Sequence, residues 1–366
     1  MACLADPARY VRDAMRSMPL RSGAFGLSPR LFAAAAHRPF LPAQILRAVV
    51  FVACLSLNAF FLDAAEISRD EVKVLTVGNS FASDATVFLP KLAEAAGKKL
   101  VLLRANPGGC SLERHARHAA LAAADPADPA GKLYKGILPG ATEPTSFSLQ
   151  EALESEHWDY VTIQQVSTLS FQPETFEPYA GELVGHIRKH APQAEILIHQ
   201  TWAYRDDWEG YNDGFTPDVM HQQASDAYKA LATRYRLRII PVGEAFHAAR
   251  TTPLWKFQYP DPAFDYKNPL RDSVPQQFGS LHAGWAWRKD LRTGELRFNL
   301  DFKHGNVAGK FLGSAVFFEM LYGEDVTQVP FHPEALSPKQ GASLKSIAHK
   351  TVEGALKNIA SAKPTL

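Results

Sequence analysis

The sequence predicts an α/β fold, with a parallel sheet of five strands and helices on both faces. Three observations predict it. Short apolar, β-branched runs occur at Val72–Val77, Lys99–Arg104, Tyr160–Gln164, Glu195–His199 and Arg238–Val242. They read as buried strands. Segments of helical composition separate them at the spacing of right-handed βαβ units. Several runs also end in small or polar residues, as in Gly78-Asn79-Ser80, Gly108-Gly109 and Gln164-Gln165. An open α/β sheet places its chemistry at that carboxyl edge.

At 366 residues the chain is long enough for one large α/β domain or two modest ones. Its formal net charge of +1 supplies no field to gather nucleic acid, and no nucleic-acid partner is expected. Residues 1–47 are rich in Arg and Ala, Ala48–Phe61 is apolar, and Leu62-Asp63-Ala64-Ala65 follows. This is the pattern of a secretory signal peptide over 1–65 with a long basic leader. The apolar run is shorter than the ~20 residues of a spanning helix. The expectation is a secreted or periplasmic protein with no stable membrane insertion after cleavage. Cleavage would remove Cys3 and Cys54 and leave Cys110, so no internal disulfide is expected. Cys110 reads as a buried structural thiol.

In chain order, the first strand runs into Gly78 and Asn79, residues that tolerate turn dihedrals. Ser80 then stands where strand gives way to helix. Asp84–Ala96 has helical composition, with Gly97 as a stop and Pro90 in a first turn or at a kink. The second strand leads to Gly108-Gly109 and a helix through His115 and Leu121. Residues 125–145 read as a surface loop, and Phe147–Glu154 as a short helix. The third strand ends in Gln164-Gln165 and is followed by a helix over Glu174–His190. The fourth runs into His199, Gln200, Trp202, Tyr204 and Arg205, then a helix over Val219–Tyr235. After the fifth strand, residues 254–299 break the rhythm with prolines and aromatics. They read as an ordered flap, with a hairpin over Gly284–Asn299 turning at Arg292-Thr293-Gly294. Asp301–Asn306 opens a helix in which Gly305, Gly309 and Gly313 allow close packing, and Glu334–Lys357 is the last helix. The main domain is therefore placed at 66–332, insertion 254–299 included, with a C-terminal helix and tail at 333–366.

A serine nucleophile needs a base, and the base needs a group that holds its tautomer. Ser80, His304 and Asp301 can supply the three. Asp301, three residues before His304, can reach one imidazole nitrogen and leave the other for Ser80. The plainer alternatives are an N-cap turn at Ser80, and a capping Asp with a surface His. No third ligand stands at helical spacing as in H-E-x-x-H, so no metal is expected. A developing oxyanion needs donors: the Ser80 amide, the Gly108-Gly109 backbone, and a side-chain amide from Gln164-Gln165. His115, His118, His186, His190, His221, His247 and His282 read as surface or helix-face residues.

On these residues the chain resembles the SGNH (GDSL-like) hydrolase superfamily. Gly78-Asn79-Ser80-Phe81 stands where typical members have Gly-Asp-Ser-Leu. Gly108 or Gly109 matches the second-block glycine, and Asp301-x-x-His304 the last block. The resemblance covers roughly Val72 to Gly323. It implies a flavodoxin-like three-layer α/β/α sandwich, Ser80 as nucleophile, His304 as base, Asp301 as its orienting partner, and no metal or organic cofactor. The third block, normally Gly-x-Asn-Asp, is replaced by Gln164-Gln165-Val166-Ser167. Gln165 is therefore given the side-chain oxyanion role beside the amides of Ser80 and Gly109, with Gln164 next in line.

The function expected is that of a secreted serine esterase releasing a small acyl group, with a saccharide ester as substrate. Trp202 and Tyr204 could stack on a sugar face, and Arg205 could bind a carboxylate or hydroxyl. The alternative for these three is a core position under the flap. Two rival functions share the scaffold: an O-acyltransferase using the same triad, and a non-catalytic carbohydrate-binding protein. Phosphodiester or sulfate-ester hydrolysis would require a metal or a basic cluster that the sequence lacks.

Overall fold

The computed structural model describes residues 69–361. The expected leader at 1–65 lies outside the described residues. The chain begins with β1 (Glu71–Val77), α1 (Ser80–Ala85), α2 (Leu89–Ala95), β2 (Lys99–Ala105) and α3 (Leu112–Ala124). A ribbon of β3 (Tyr134–Gly136) and β4 (Thr145–Phe147) precedes α4 (Leu149–Glu154). There follow β5 (Tyr160–Ile163), α5 (Tyr179–His190), β6 (Glu195–His199), α6 (Pro217–Tyr235), β7 (Arg238–Ile240) and α7 (Val242–Arg250). A hairpin of β8 (His282–Lys289) and β9 (Leu296–Gly305) leads to α8 (Val307–Tyr322) and then α9 (Pro338–Ser361).

The main sheet has the order β2-β1-β5-β6-β7, and each neighbouring pair is parallel. This is the flavodoxin-like order, with its switch point between β1 and β5. Alternation along the strands divides the core. Val72 and Val74 enter one apolar cluster with α1, α2, α7, α8 and α9. Leu75 and Val77 enter the other, with α3, α4, α5 and most of α6. Two helical layers thus sandwich the sheet.

Helix α8 is buried almost all round, as an apolar central helix must be. Its glycines let it approach closely. A Cβ at Gly313 would stand 2.9 Å from the Ala85 Cα. One at Gly309 would run into the Leu281 carbonyl, just before β8.

Several boundaries differ from expectation, and proline accounts for most. The helix expected over 84–96 is two helices, because Pro90 enters the first turn of α2 and cannot continue a helix from α1. Helix α5 begins after Pro178 rather than at Glu174. Strand β7 stops at Ile240, and the unforeseen α7 starts beyond Pro241. The loop at 125–145 holds the short ribbon strand β3. Asp301–His304 lies on β9 rather than opening a helix; α8 starts later, capped by Asn306, whose Oδ1 accepts from the Gly309 amide at 3.0 Å. No helix among the described residues is long and apolar enough to cross a membrane.

Gly309→Ala should push α8 away from Leu281. We expect a loss of about 1–3 kcal/mol of unfolding free energy, read by urea denaturation. Wild-type stability in that variant would show that the contact yields freely.

Candidate active site

The end of β1 forms a tight elbow. A Cβ on Gly78 would stand 2.9 Å from the Gln164 side chain, so only glycine fits there without displacing it. Asn79 caps α1, its Oδ1 accepting from the Phe81 amide at 3.1 Å. Ser80 is the first residue of α1 and stays partly exposed. Its Oγ lies 2.9 Å from His304 Nε2. His304 Nδ1 in turn lies 3.0 and 3.1 Å from the two carboxylate oxygens of Asp301. The structure therefore brings Ser80, His304 and Asp301 into one hydrogen-bonded line.

Strand β9 carries the last two of these, and its end is held from three directions. The Arg205 amide donates to the Phe302 carbonyl at 2.9 Å. Trp202 Nε1 donates to the Lys303 carbonyl at 2.9 Å. The Gly305 amide donates to Asp84 Oδ2 at 2.8 Å. Asp84 lies one helical turn beyond Ser80 on α1, so a single short helix positions the hydroxyl and anchors the strand that faces it.

The electrostatics follow from these contacts. Burial works to raise the Asp301 carboxyl, but the His304 ring and the His304 and Lys303 amides outweigh it and hold it well below the usual range. The Asp301 hydrogen bond raises His304 above its ordinary value of 6.5, against burial. In the neutral ring, Nδ1–H faces Asp301 and the Nε2 lone pair faces Ser80.

A family model described as a domain of unknown function, DUF4886, matches residues 73–258. The chain belongs to the DUF4886 family. No curated protein matches it. The crystal structure of a DUF4886 family protein from Bacteroides uniformis ATCC 8492 is 27% identical, with a TM-score of 0.59, covering 78% of this chain and 95% of that one. A candidate SGNH hydrolase from Slackia heliotrinireducens is 20% identical, with a TM-score of 0.39, over 68% of this chain and 98% of its own. A member of the lipolytic G-D-S-L family from Veillonella parvula DSM 2008 is 11% identical, with a TM-score of 0.36, over 68% and 97%. The last two superpose too loosely to bear on the chemistry of this chain.

Four of the expected site residues in this DUF4886 chain have other work. Gln165 is buried: its Oε1 accepts from the Leu112 and Val166 amides at 3.1 and 2.9 Å, and its Nε2 donates to the Thr175 carbonyl at 3.0 Å. Its amide is committed to bracing loops and is not an oxyanion donor. Trp202, Tyr204 and Arg205 are each only 1% exposed. Trp202 stacks between Phe81 and Phe246, at 4.2 and 4.4 Å. Tyr204 donates to Ser167 Oγ and packs edge-on against Phe302. Arg205 pairs with Asp207, donates to Gln277 in the insertion, and lies 4.1 Å over the Phe257 ring. None of the three can meet a substrate; they hold β9 and the base of the flap.

Gly109 is exposed and sits at φ +63° in the turn Pro107–Cys110, a conformation that suits glycine. Neither its amide nor that of Ser80 has an acceptor among the described residues. Cys110 is a free, buried thiol, pushed up to about 12 by burial. His115, expected at a surface, is fully buried: Nε2 donates to the Gly78 carbonyl and Nδ1 accepts from the Tyr134 hydroxyl, both at 2.8 Å. Among the described residues, the three-ligand set with metal-like proximity is Glu319, Asp325 and His349, distinct from Ser80, His304 and Asp301. There His349 Nδ1 already bonds Glu319 at 2.8 Å.

In this DUF4886 protein, His304 should titrate above 6.5, and Asp301→Asn should lower that value because the largest influence opposing burial is then lost. Imidazole NMR would follow it. The sign fixes the stability effect. The His304 contribution is complete below its unfolded value and is lost as pH rises through the folded one. A His304 pKa unmoved by Asp301→Asn would show that the pair is not coupled.

Proposed function

We propose that this DUF4886 protein is a serine ester hydrolase of the SGNH kind. What carries the reading is the line from Ser80 Oγ through His304 to Asp301, with both nitrogens of one imidazole engaged in the required order. Ser80 attacks the ester carbonyl while His304 Nε2 accepts its proton. Asp301 holds the tautomer and stabilises the imidazolium. The carbonyl oxygen gains negative charge beside the Ser80 and Gly109 amides, which have no other acceptor to leave. His304 then gives the proton to the departing alcohol. A water, activated by the same ring, releases the acid and frees Ser80.

The acyl group is taken as small. A saccharide alcohol finds no platform on Trp202, Tyr204 and Arg205, because those side chains are buried. Acetylated sugars therefore enter the test as one substrate set beside simple acetate esters. The leader expected at 1–65 would place the reaction outside the cytoplasm.

Hydrolysis of 4-nitrophenyl acetate by the chain from Glu66 tests the mechanism, beside Ser80→Ala and His304→Ala. We expect kcat to fall by about 10³-fold or more in each variant. The kcat/KM of wild type should decline with acid as His304 becomes charged. Equal rates in all three proteins would sink the serine mechanism. Transfer to an added alcohol in preference to water would favour the acyltransferase. Saccharide affinity without turnover, indifferent to Ser80→Ala, would favour a binding protein.

A further inference from the structure

The elbow is backed by a buried polar chain that the reaction itself does not use. Asn79, Gln164 and His199 are each 1% exposed or less. Asn79 Nδ2 donates to the Cys110 carbonyl at 3.1 Å. Gln164 Nε2 donates to Asn79 Oδ1 at 2.8 Å. His199 Nδ1 lies 2.6 Å from Gln164 Oε1.

The polarity of this chain is fixed from one end. The Phe81 amide can only donate and the Cys110 carbonyl can only accept, so Asn79 has one permitted orientation. Its Oδ1 then requires a donor from Gln164. Gln164 must turn its oxygen to His199, which must carry its proton on Nδ1. Burial holds that ring neutral, with its pKa down at about 3. No rotamer or amide flip in the series is free to change alone.

We propose that Gln164 is a positioning residue: by fixing the Asn79 amide it ties the Cys110 carbonyl, and so holds the adjacent Gly109 amide beside Ser80. Three observations support it. The Pro107–Cys110 turn is exposed at Gly108 and Gly109, with nothing near either Cα on the side a Cβ would occupy, so side-chain packing fixes the turn only from buried Cys110 onward. The Asn79 amide joins that turn to α1, which carries Ser80. Gln164 is 1% exposed, with its two amide atoms turned to Asn79 and His199. Its part in the reaction is therefore indirect. It rests on the esterase reading for its catalytic consequence but not for its structural one.

Two isosteric changes test it. Gln164→Glu gives Asn79 Oδ1 a carboxylate in place of a donor, so the Asn79 amide turns to it and leaves Cys110. Asn79→Asp removes the donor to Cys110 directly. Each should lower kcat by about 10- to 100-fold, part of the effect of losing an oxyanion donor, with KM within about twofold. Both changes place a carboxylate behind the elbow, so the acid limb of the kcat/KM profile should move up, and the pH-independent kcat is what reads the tether. Independently of turnover, hydrogen exchange over residues 106–112 should quicken in both variants while β1 and β5 keep their protection.

A changed KM with constant kcat would overturn the proposal. So would unchanged exchange over 106–112, even in a folded protein with no esterase activity. Quickened exchange with no esterase activity in wild type would uphold the tether and reject the hydrolase instead.

Discussion

Ser80 and His304 are separated by 224 positions, and their contact depends on holding one strand end still. Strand β9 belongs to a two-stranded hairpin and not to the main sheet. Nothing in the parallel ladder fixes its position. The work falls to the Arg205 amide, the Trp202 indole and Asp84, which bind three of the four residues from Phe302 to Gly305. Behind them lies a buried ion pair between Arg205 and Asp207, with side chains 1% and 0% exposed. Such a pair adds little net stability over an apolar contact, but losing one partner strands the other charge. That asymmetry suits a brace: the arrangement resists partial loosening.

The polar interior behind the elbow has a different character. His115 and His199 are both held neutral by burial, at about 4 and about 3. Asn79 and Gln164 carry no charge at all. The nucleophile is thus positioned by neutral groups whose hydrogen bonds are directional but cast no long-range field. Asp301 can then act on His304 without opposition from a second charged network at the elbow. Asp84, 3.3 Å from Lys310, adds to Asp301 in raising His304.

The sheet and the Ser80, Asp301 and His304 constellation were legible because each depends on local pattern. Apolar runs set the strands, and a turn at a strand's carboxyl end sets where a serine can face. What was not legible is where a side chain points once the strand ends. Gln164 and Gln165 are neighbours, yet one joins Asn79 and His199 while the other joins Leu112 and Thr175. Sequence placed both at the right edge and could not tell which faced the elbow. Beyond β6 the same blindness affected Trp202, Tyr204 and Arg205. Aromatics beside a sheet edge suggest a sugar platform, but here they turn inward against β9. The two departures from the typical motif, at Asn79 and at Gln164, looked unrelated in sequence. In space they share a hydrogen bond of 2.8 Å. His115 gave no signal, since a histidine on an Ala-rich helix reads as solvent-facing until its acceptor at Gly78 is seen.

The inward aromatics also change where selectivity can reside. An esterase that used Trp202 and Tyr204 to grip an alcohol would need them mobile or exposed; as braces they must be neither. Gly108 and Gly109 have no side chains and open space where one would stand. On the esterase reading, that turn can shape the charge on a carbonyl oxygen but offers nothing to recognise a group. The chemistry around His304 is what remains: the partly exposed Lys303 before it, and Val307, 37% exposed, at the start of α8. On the esterase reading, the β8–β9 hairpin serves first to hold the base His304 opposite Ser80. On the same reading, any grip on the substrate falls to the residues bordering the end of β9, not to the rings packed beneath it.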